Sequence, residues 1–198
     1  MLGSVLVSGA GNDLLDGGSG DDTLTGNAGN DQFIGGTGTL DLLIASGGTA
    51  FVLTNSTLTG VGFDTVSSIE LARLTTSATL ASSIDARLFS GATTLTGSSG
   101  ADTILGGSGA DSIVAGAGDD VLAGNNGADS ILAGAGNDIV LGGAGNDSIS
   151  GSSSFSVGSA TADGDDTILG GAGNDRPIGG RSGSGPRRLP SLWSWRRD

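Results

Sequence analysis

Several residue types that carry common protein chemistry are absent from this 198-residue sequence or rare in it. There is no cysteine, no histidine and no tyrosine. The absence of cysteine excludes disulfides, thiolate metal sites and a cysteine nucleophile. The absence of histidine removes the commonest general base and zinc ligand. Because there are only three prolines, the chain cannot be collagen-like despite its glycine content.

Positive charge is also scarce. Eight basic residues stand against 21 acidic ones, which gives a net charge of −13. This balance argues against nucleic acid and anionic membrane surfaces as partners, because phosphate groups attract Lys and Arg. Residues 97–175 contain eleven aspartates and no basic residue. The charge pattern therefore predicts that cations from outside the chain neutralise these carboxylates.

Glycine is abundant, with 40 residues, about three times its average usage, and it recurs in phase with aspartate. From Gly97 the chain reads GSSGADTIL, GGSGADSIV, AGAGDDVLA, GNNGADSIL and AGAGNDIVL when it is divided every nine residues. Neither a helix nor a strand has this period. With Gly97 as position one, aspartate stands at position six and an aliphatic residue at position eight.

The repeats divide the chain into zones. A first array over 1–43 holds SGAGNDLLD, GGSGDDTLT and GNAGNDQFI, followed by GGTGTLDLLI, in which Asp41 arrives one residue late. The late aspartate predicts that this array ends there. Residues 44–96 lose most glycines and predict a few short strands without the turn residues. The main array covers 97–175, and an irregular surface loop at 151–160 would absorb a slip in its phase.

The last zone, 176–198, differs in composition from everything before it. It holds six of the eight arginines, all three prolines and both tryptophans. Pro177 falls where the repeat has its aliphatic residue, and proline lacks the N–H that a sheet ladder uses. We therefore expect an irregular tail that does not extend the repeats. The abrupt change resembles translation out of frame.

Each nonapeptide predicts a turn followed by a very short strand. Glycine permits the positive φ of a tight turn, and the middle residue of the strand faces away from its two neighbours. Burying the single aliphatic side chain of one unit stabilises the fold by about 1.5–3 kcal/mol. Ordering the backbone costs about 1–2 kcal/mol for each of the nine residues. Units must therefore stack into an all-β solenoid, with a core that includes Phe33, Ile104, Ile113, Leu122, Ile131, Val140 and Ile149.

The aspartates indicate which cation such a stack would hold. Carboxylates and turn carbonyls make an all-oxygen site, which suits Ca²⁺ with its six to eight oxygen ligands. A soft metal would require Cys or His. Stacked carboxylates repel one another when no ion is present, and a divalent cation bridges them. Metal binding would then contribute folding free energy.

The pattern GGxGxDxUx, nearly intact in GGSGDDTLT, GGSGADSIV and GGAGNDSIS, resembles the RTX, or haemolysin-type, nonapeptide repeat of bacterial calcium-binding secreted proteins. The resemblance implies a parallel β-roll with two units per coil, and Ca²⁺ between turns stacked on the same side, two units apart. It implies that residues 44–96 are a degenerate, calcium-free segment. It also implies that the metal ligands are the position-six carboxylates, namely Asp13, Asp22, Asp31, Asp102, Asp111, Asp120, Asp129, Asp138, Asp147, Asp166 and Asp175.

On this resemblance we expect a non-enzymatic protein that folds on binding Ca²⁺ and acts outside the cell or on its surface. The start of the sequence lacks the basic region and the long apolar run of a signal peptide or a membrane span. Type I export would use a C-terminal signal poor in basic residues, which the arginine-rich tail does not resemble. Two alternatives are an adhesive surface spacer and the C-terminal module of an exported hydrolase. No protein partner can be identified.

The array has two other interpretations. A flexible low-complexity linker would keep the composition but not the phase of the repeat. The adjacent acids Asp21–Asp22, Asp119–Asp120 and Asp165–Asp166 could serve as acid and base in glycoside hydrolysis. Each pair, however, is position five followed by position six of the same repeat.

Overall fold

The computed structural model describes residues 2–77, 79–152, 167–173 and 176–178. All regular elements in these ranges are β-strands, and no helix that could span a membrane occurs there. The strands are β1 Val5–Val7, β2 Leu14–Asp16, β3 Thr23–Thr25, β4 Gln32–Ile34, β5 Leu42–Ser46, β6 Ala50–Thr54, β7 Thr57–Thr59, β8 Phe63–Ser67, β9 Leu71–Thr75, β10 Ser83–Leu88, β11 Ala92–Thr96, β12 Thr103–Leu105, β13 Ser112–Ala117, β14 Val121–Asn126, β15 Ser130–Ala135, β16 Ile139–Ala144, β17 Ser148–Ser152, β18 Thr167–Ala172 and β19 Arg176–Ile178.

Successive repeats alternate between two sheets. Sheet 1 has nine strands in the order β1-β3-β5-β9-β11-β13-β15-β17-β19, and sheet 2 has ten in the order β18-β16-β14-β12-β10-β6-β7-β8-β4-β2. Neighbouring strands of the main array are parallel, with Ile113 beside Ile131 and Leu122 beside Val140. Each coil therefore contains two nonapeptides, one in each sheet, which confirms the predicted parallel β-roll.

The core lies between the two sheets and includes all of the predicted core residues. Each position-eight side chain from Ile104 to Ile149 is at most 2% exposed, and Phe33 is 2% exposed. The flanking residues of the same strands face outward, as Thr103 and Val121 do. The sequence period of nine thus becomes a continuous apolar column in each sheet.

The sequence predicts that the first array ends at Asp41, and this prediction is wrong. Strand β5 pairs with β3 in parallel, so that Leu43 lies beside Leu24 in the core. The extra residue is accommodated in the preceding turn, where Leu40 is exposed. The N–H groups of Thr39 and Leu40 both donate to Asp21 Oδ1, at 3.0 and 3.2 Å. The insertion therefore stays on the surface and leaves the strand register unchanged.

The segment 44–96 forms short strands, as predicted, and both sheets run through it. In sheet 1, β9 lies between β5 and β11 with parallel pairing on both sides. In sheet 2, β6, β7 and β8 form an antiparallel meander. The outer strands of the meander pair in parallel with β10 and β4. The meander thus adds two strands to one sheet without breaking the roll.

Sheet 2 resumes in register after the predicted loop. Val140 pairs with Ile168, although most of the segment 151–160 falls outside the described residues. The expectation that the chain stops extending the sheets at Pro177 is wrong, because β19 pairs with β17. Arg176 N–H donates to Asp147 O at 2.7 Å, so the next residue directs its amide nitrogen away from β17. Proline is tolerated there because β19 is an edge strand. Residues 179–198 lie outside the described part of the chain.

The column of core residues yields a first prediction. Leu122→Ala should lower the free energy of unfolding by about 2–5 kcal/mol, because it deletes a fully buried side chain and leaves a cavity. Val121→Ala, on the outer face of the same strand, should change it by less than about 0.5 kcal/mol. Urea denaturation under conditions that fold the chain compares the two variants, and equal losses would contradict the strand orientation.

Candidate metal-binding site

The turns that precede the strands also stack, and their acidic side chains form two columns along the roll. Each column has two stretches. Those of sheet 1 are Asp22, Asp41 and Glu70, and then Asp111, Asp129 and Asp147; those of sheet 2 are Asp13, Asp31 and Asp64, and then Asp102, Asp120 and Asp138. All of these aspartates except Asp13 are at most 3% exposed. The predicted ligands Asp166 and Asp175 lie outside the described residues.

A hydrogen-bond ladder holds the carboxylates of each column in place. One oxygen of each aspartate other than Asp13 accepts a backbone N–H from the coil before it. Asp111 N–H donates to Asp129 Oδ1 at 2.8 Å, and Asp102 N–H donates to Asp120 Oδ1 at 2.7 Å. The predicted same-side partners are thus brought together. Because the ladder uses one oxygen, the other is available for a further interaction.

That second oxygen has two different environments. In Asp22, Asp41, Asp120 and Asp129 the Oδ2 atom is buried and has no hydrogen-bond partner among the described residues. Asp102 and Asp111 differ, because their Oδ2 atoms accept the N–H groups of Ser98 and Gly107 at 2.6 and 2.7 Å. A buried carboxylate oxygen without a partner is costly. A cation or a hydrogen-bond donor at Oδ2 would therefore stabilise each of the four aspartates of the first group.

The backbone at position two of each repeat explains the difference. This residue has a positive φ in the repeats of the four aspartates without an Oδ2 partner: Gly18 at 87°, Gly36 at 103°, Gly116 at 124° and Asn125 at 73°. Ser98 and Gly107, which donate to Oδ2, do not have a positive φ. In these four repeats the N–H of the left-handed residue does not donate to Oδ2. Glycine and asparagine tolerate this conformation best.

Position one brings a second kind of oxygen close to the carboxylate. A Cβ atom added at Gly106 would lie 2.5 Å from Asp111 Oδ2 and 2.8 Å from the carbonyl oxygen of Gly124 on the next coil. At Gly17 the nearest atoms are again Asp22 Oδ2 and the next coil's carbonyl, Gly35 O at 2.6 Å. A carboxylate oxygen and a carbonyl oxygen of the next coil thus both lie beside position one. Both atoms are electronegative and could serve as ligands to a cation.

Burial and stacking raise the pKa of several column aspartates. Desolvation is the main cause at Asp120, whose pKa rises to about 6, and the charges of Asp138, Asp102 and Asp119 raise it further. Asp129 also has a pKa raised to about 6, mainly by desolvation and then by Asp111 and Asp147. The columns therefore resist carrying full negative charge without a cation.

The chain itself supplies little compensation in its described part. Arg87 binds Asp85 at 2.7 Å on the outer face of β10, where it lowers the pKa of Asp85 rather than that of a column residue. Among the described residues no three acidic side chains converge on one point. An ion bound within the columns would therefore need main-chain carbonyls among its ligands as well as carboxylates.

The columns include residues that the sequence analysis missed. Asp41 and Glu70 end the first stretch in sheet 1, and Asp64 ends the first stretch in sheet 2. Thr93 and Ser82 begin the second stretches, next to Asp111 and Asp102. The hydroxyl and N–H groups of Thr93 both donate to Asp111 Oδ1, at 2.8 and 2.7 Å. The phrase GVGFDTV contains a signal for Asp64, because its last glycine, Asp64 and Val66 keep the spacing of positions four, six and eight.

The acidic side chains at positions five and six accept hydrogen bonds from opposite directions along the roll. Asp120 Oδ1 accepts from Asp102 on the preceding coil, whereas exposed Asp119 accepts the N–H of Asn137 on the following coil at 2.8 Å. Asp21 and Asp22 diverge in the same way, since Asp21 binds Thr39. These neighbouring acids do not face one common bond, as an acid and base pair in glycoside hydrolysis would. Asp165 and Asp166 lie outside the described residues.

The raised pKa values predict that acid stabilises the metal-free fold. Asp120 and Asp129 bind protons more tightly in the folded chain, with pKa values of about 6, than at the ordinary value of 3.8. Their contribution to stability is full below about pH 3.8 and is lost as the pH rises through 6. In metal-free buffer the β signal in circular dichroism should be stronger at pH 5 than at pH 7.5, with sedimentation velocity used to check for aggregation. A stronger signal at pH 7.5 would contradict this.

Comparison with known families agrees with the geometry of the columns. A family model described as the RTX calcium-binding nonapeptide repeat matches the chain in four copies, at residues 7–39, 89–122, 123–153 and 161–181. Comparison with curated proteins gives no significant match. The four copies cover more than half of the chain and include both arrays, while Asp41, Asp64 and Glu70 fall outside them. The chain therefore belongs to the family of RTX calcium-binding nonapeptide repeats, which bind Ca²⁺.

Proposed function

We propose that the column carboxylates bind Ca²⁺ between successive coils and that this binding drives the folding of the roll. The observation that carries the proposal is the buried Oδ2 atom without a partner, in Asp22, Asp120 and Asp129 of the predicted ligands. These atoms are held in fixed positions by the ladder through Oδ1. A cation between coils would satisfy them. At Asp120 and Asp129 it would also offset the desolvation and the neighbouring charges that raise the pKa.

The donor set fits calcium in particular. The columns offer carboxylate and carbonyl oxygens, as at Asp22 Oδ2 and Gly35 O, both of which lie next to Gly17. Hard oxygen ligands from a flexible turn suit Ca²⁺, whereas Mg²⁺ requires a strict octahedron and retains its waters. Zinc and copper would prefer the nitrogen and sulfur ligands that this sequence does not have. Bound Ca²⁺ would supply the positive charge that the described chain does not provide there.

The predicted ligands are not equivalent in this respect. Asp102 and Asp111 satisfy their second oxygens with backbone N–H groups, so their turns are closed by the protein itself. Calcium ligation by these two aspartates would require the N–H groups of Ser98 and Gly107 to turn away. We call a turn open when the Oδ2 atom of its aspartate has no hydrogen-bond partner among the described residues, as at Asp120 and Asp129. We therefore place the tightest Ca²⁺ sites on the open turns.

Calcium-dependent folding suits a protein that acts outside the cell, which is the location typical of RTX repeats. Where free Ca²⁺ is scarce the columns repel, and the chain would stay unfolded and suitable for passage through an export channel. Extracellular modules bind Ca²⁺ with dissociation constants of about 10⁻⁴–10⁻³ M. At a hundredfold excess of Ca²⁺ over this constant, each site adds about 2.7 kcal/mol. A few sites together would then favour the folded roll.

We infer that the chain acts by folding and binding rather than by catalysis. Strand hydroxyls such as those of Thr103 and Ser130 are exposed on the outer faces of the sheets, and the sequence has no histidine to activate them. The acidic pair Asp119–Asp120 diverges, as described above. RTX repeats are typically structural, and the outer faces of this roll contain no nucleophile paired with a base among the described residues.

Calcium-dependent order is the direct expectation. In EDTA at pH 7.5 the circular dichroism spectrum should be that of a disordered chain, and added Ca²⁺ should produce a cooperative gain of β signal because neighbouring sites share turns. Magnesium at the same concentration should produce little gain. A stable β spectrum in EDTA at this pH would rule out the mechanism.

A matched pair of variants tests the register of the ligands. Asp120→Asn keeps an Oδ1 acceptor for Asp102 N–H but removes the charged oxygen, so the Ca²⁺ midpoint of folding should rise. Asp119→Asn removes the same charge one residue earlier and keeps the acceptor for Asn137 N–H, so the midpoint should stay close to wild type. Equal shifts in the two calcium titrations would show that position six is not the ligand.

A further inference from the structure

Asp41 stands outside the nine-residue phase, yet its surroundings match those of the in-phase aspartates. Its carboxylate is 0% exposed. Asp41 Oδ1 accepts the N–H of Asp22 at 2.7 Å, which is the ladder bond of the arrays. Asp41 Oδ2 is buried and has no hydrogen-bond partner among the described residues. The carboxylate is thus held in place by one oxygen and left unsatisfied at the other.

The carbonyl that faces this carboxylate comes from the segment that has no repeats. A Cβ atom added at Gly35 would meet Ser68 O first and Asp41 Oδ2 at 2.7 Å. This is the arrangement seen at Gly17, where the next coil's carbonyl is Gly35 O. Ser68 has a φ of 52°, a left-handed conformation that is uncommon for serine. Such a backbone persists when its surroundings require it, and it clusters at binding sites.

Glu70, the only glutamate of the sequence, supplies a second carboxylate on the next coil, beside the Asp41 backbone. Its Oε2 atom accepts the N–H of Asp41 at 3.0 Å, just as Asp41 accepts the N–H of Asp22. The core residues Val66 and Ala72 on either side of this turn are about six positions apart, against nine in a repeat, so the turn is shorter than that of a repeat. The additional methylene of glutamate allows the carboxylate to reach the column from a short turn.

We propose that Asp41 and Glu70, with the carbonyl of Ser68, form an additional Ca²⁺ site at the junction between the first array and residues 44–96. This inference rests on the proposed function, because it assigns the same ion to residues that the nonapeptide pattern does not include. The ion would link the turn before β5 to the turn before β9. It would thereby attach the irregular segment, which was expected to be calcium-free, to the calcium-dependent array.

The test uses conservative variants of the full chain. Asp41→Asn keeps the Oδ1 acceptor for Asp22 N–H and removes the negative charge from Oδ2. Glu70→Gln keeps an acceptor for Asp41 N–H and removes the second charge. Asp16→Asn removes one charge from an exposed residue of β2 and serves as the control. Asp129→Asn, in the main array, reports on the proposed function separately.

Two measurements distinguish the outcomes. Equilibrium dialysis at saturating Ca²⁺ should find one ion fewer bound to Asp41→Asn than to wild type or Asp16→Asn, and a weaker site in Glu70→Gln. Hydrogen exchange with mass spectrometry should show that Ca²⁺ no longer protects residues 35–46 in Asp41→Asn, while residues 121–135 remain protected as in wild type. Retained protection of the main array excludes a general failure to fold.

The opposite results would overturn the inference in identifiable ways. If Asp41→Asn binds as many ions as Asp16→Asn and keeps its protection at residues 35–46, the junction site does not exist. If in addition Asp129→Asn loses bound Ca²⁺, the proposed function stands and only this site fails. If wild type binds no Ca²⁺ at all, both proposals fail together.

Discussion

The structure depends on the stacking of buried carboxylates that have no counter-charge in the described part of the chain. A solenoid with two nonapeptides per coil brings equivalent aspartates next to each other, and the strand register prevents them from moving apart. Asp129, for example, lies between Asp111 and Asp147 in one column, and both neighbours raise its pKa together with desolvation. Such an arrangement is unfavourable at neutral pH unless a cation joins the column.

The other positions of the repeat set the spacing of the coils and the orientation of the carboxylates. The apolar column from Ile104 to Ile149 fixes the spacing of the coils, and the Oδ1 ladder fixes one oxygen of each carboxylate. Where the residue at position two is left-handed, as at Gly116, its N–H does not donate to the other oxygen. Where this residue is not left-handed, as at Gly107, the protein satisfies the carboxylate itself. The backbone at position two therefore separates turns that need an ion from turns that do not.

The regular part of this account could be predicted from the sequence, because period and chemistry coincide there. The spacing of Ile113 and Ile131 predicts the core. The pairing of Asp111 with Asp129 follows from two units per coil, which the resemblance to RTX repeats implies. The irregular part could not be predicted in the same way. Asp41 was excluded by its late position, although the extra residue at Leu40 lies in the turn and leaves the strand register unchanged. Glu70 was missed because its longer side chain compensates for a shorter turn, which depends on three-dimensional reach and not on spacing.

Pro177 shows that residue type alone can also predict an end to the sheet where the sheet in fact continues. Its residue type argues against a strand, but the cost of a missing N–H depends on which side of the strand that group would face. At the edge of sheet 1 the missing N–H removes no ladder bond. Residue type and period thus predict the elements of the roll well, whereas the ends and interruptions depend on tertiary context.

The dependence of stability on free Ca²⁺ tests the central claim most directly. The free energy of unfolding, measured by urea denaturation over a series of Ca²⁺ concentrations, should rise with the logarithm of the concentration. Its slope in units of RT gives the number of ions taken up on folding. If ions satisfy the open turns in both columns, this number should be about four or more. A slope near zero would contradict the account, because the buried carboxylates would then be stable without calcium.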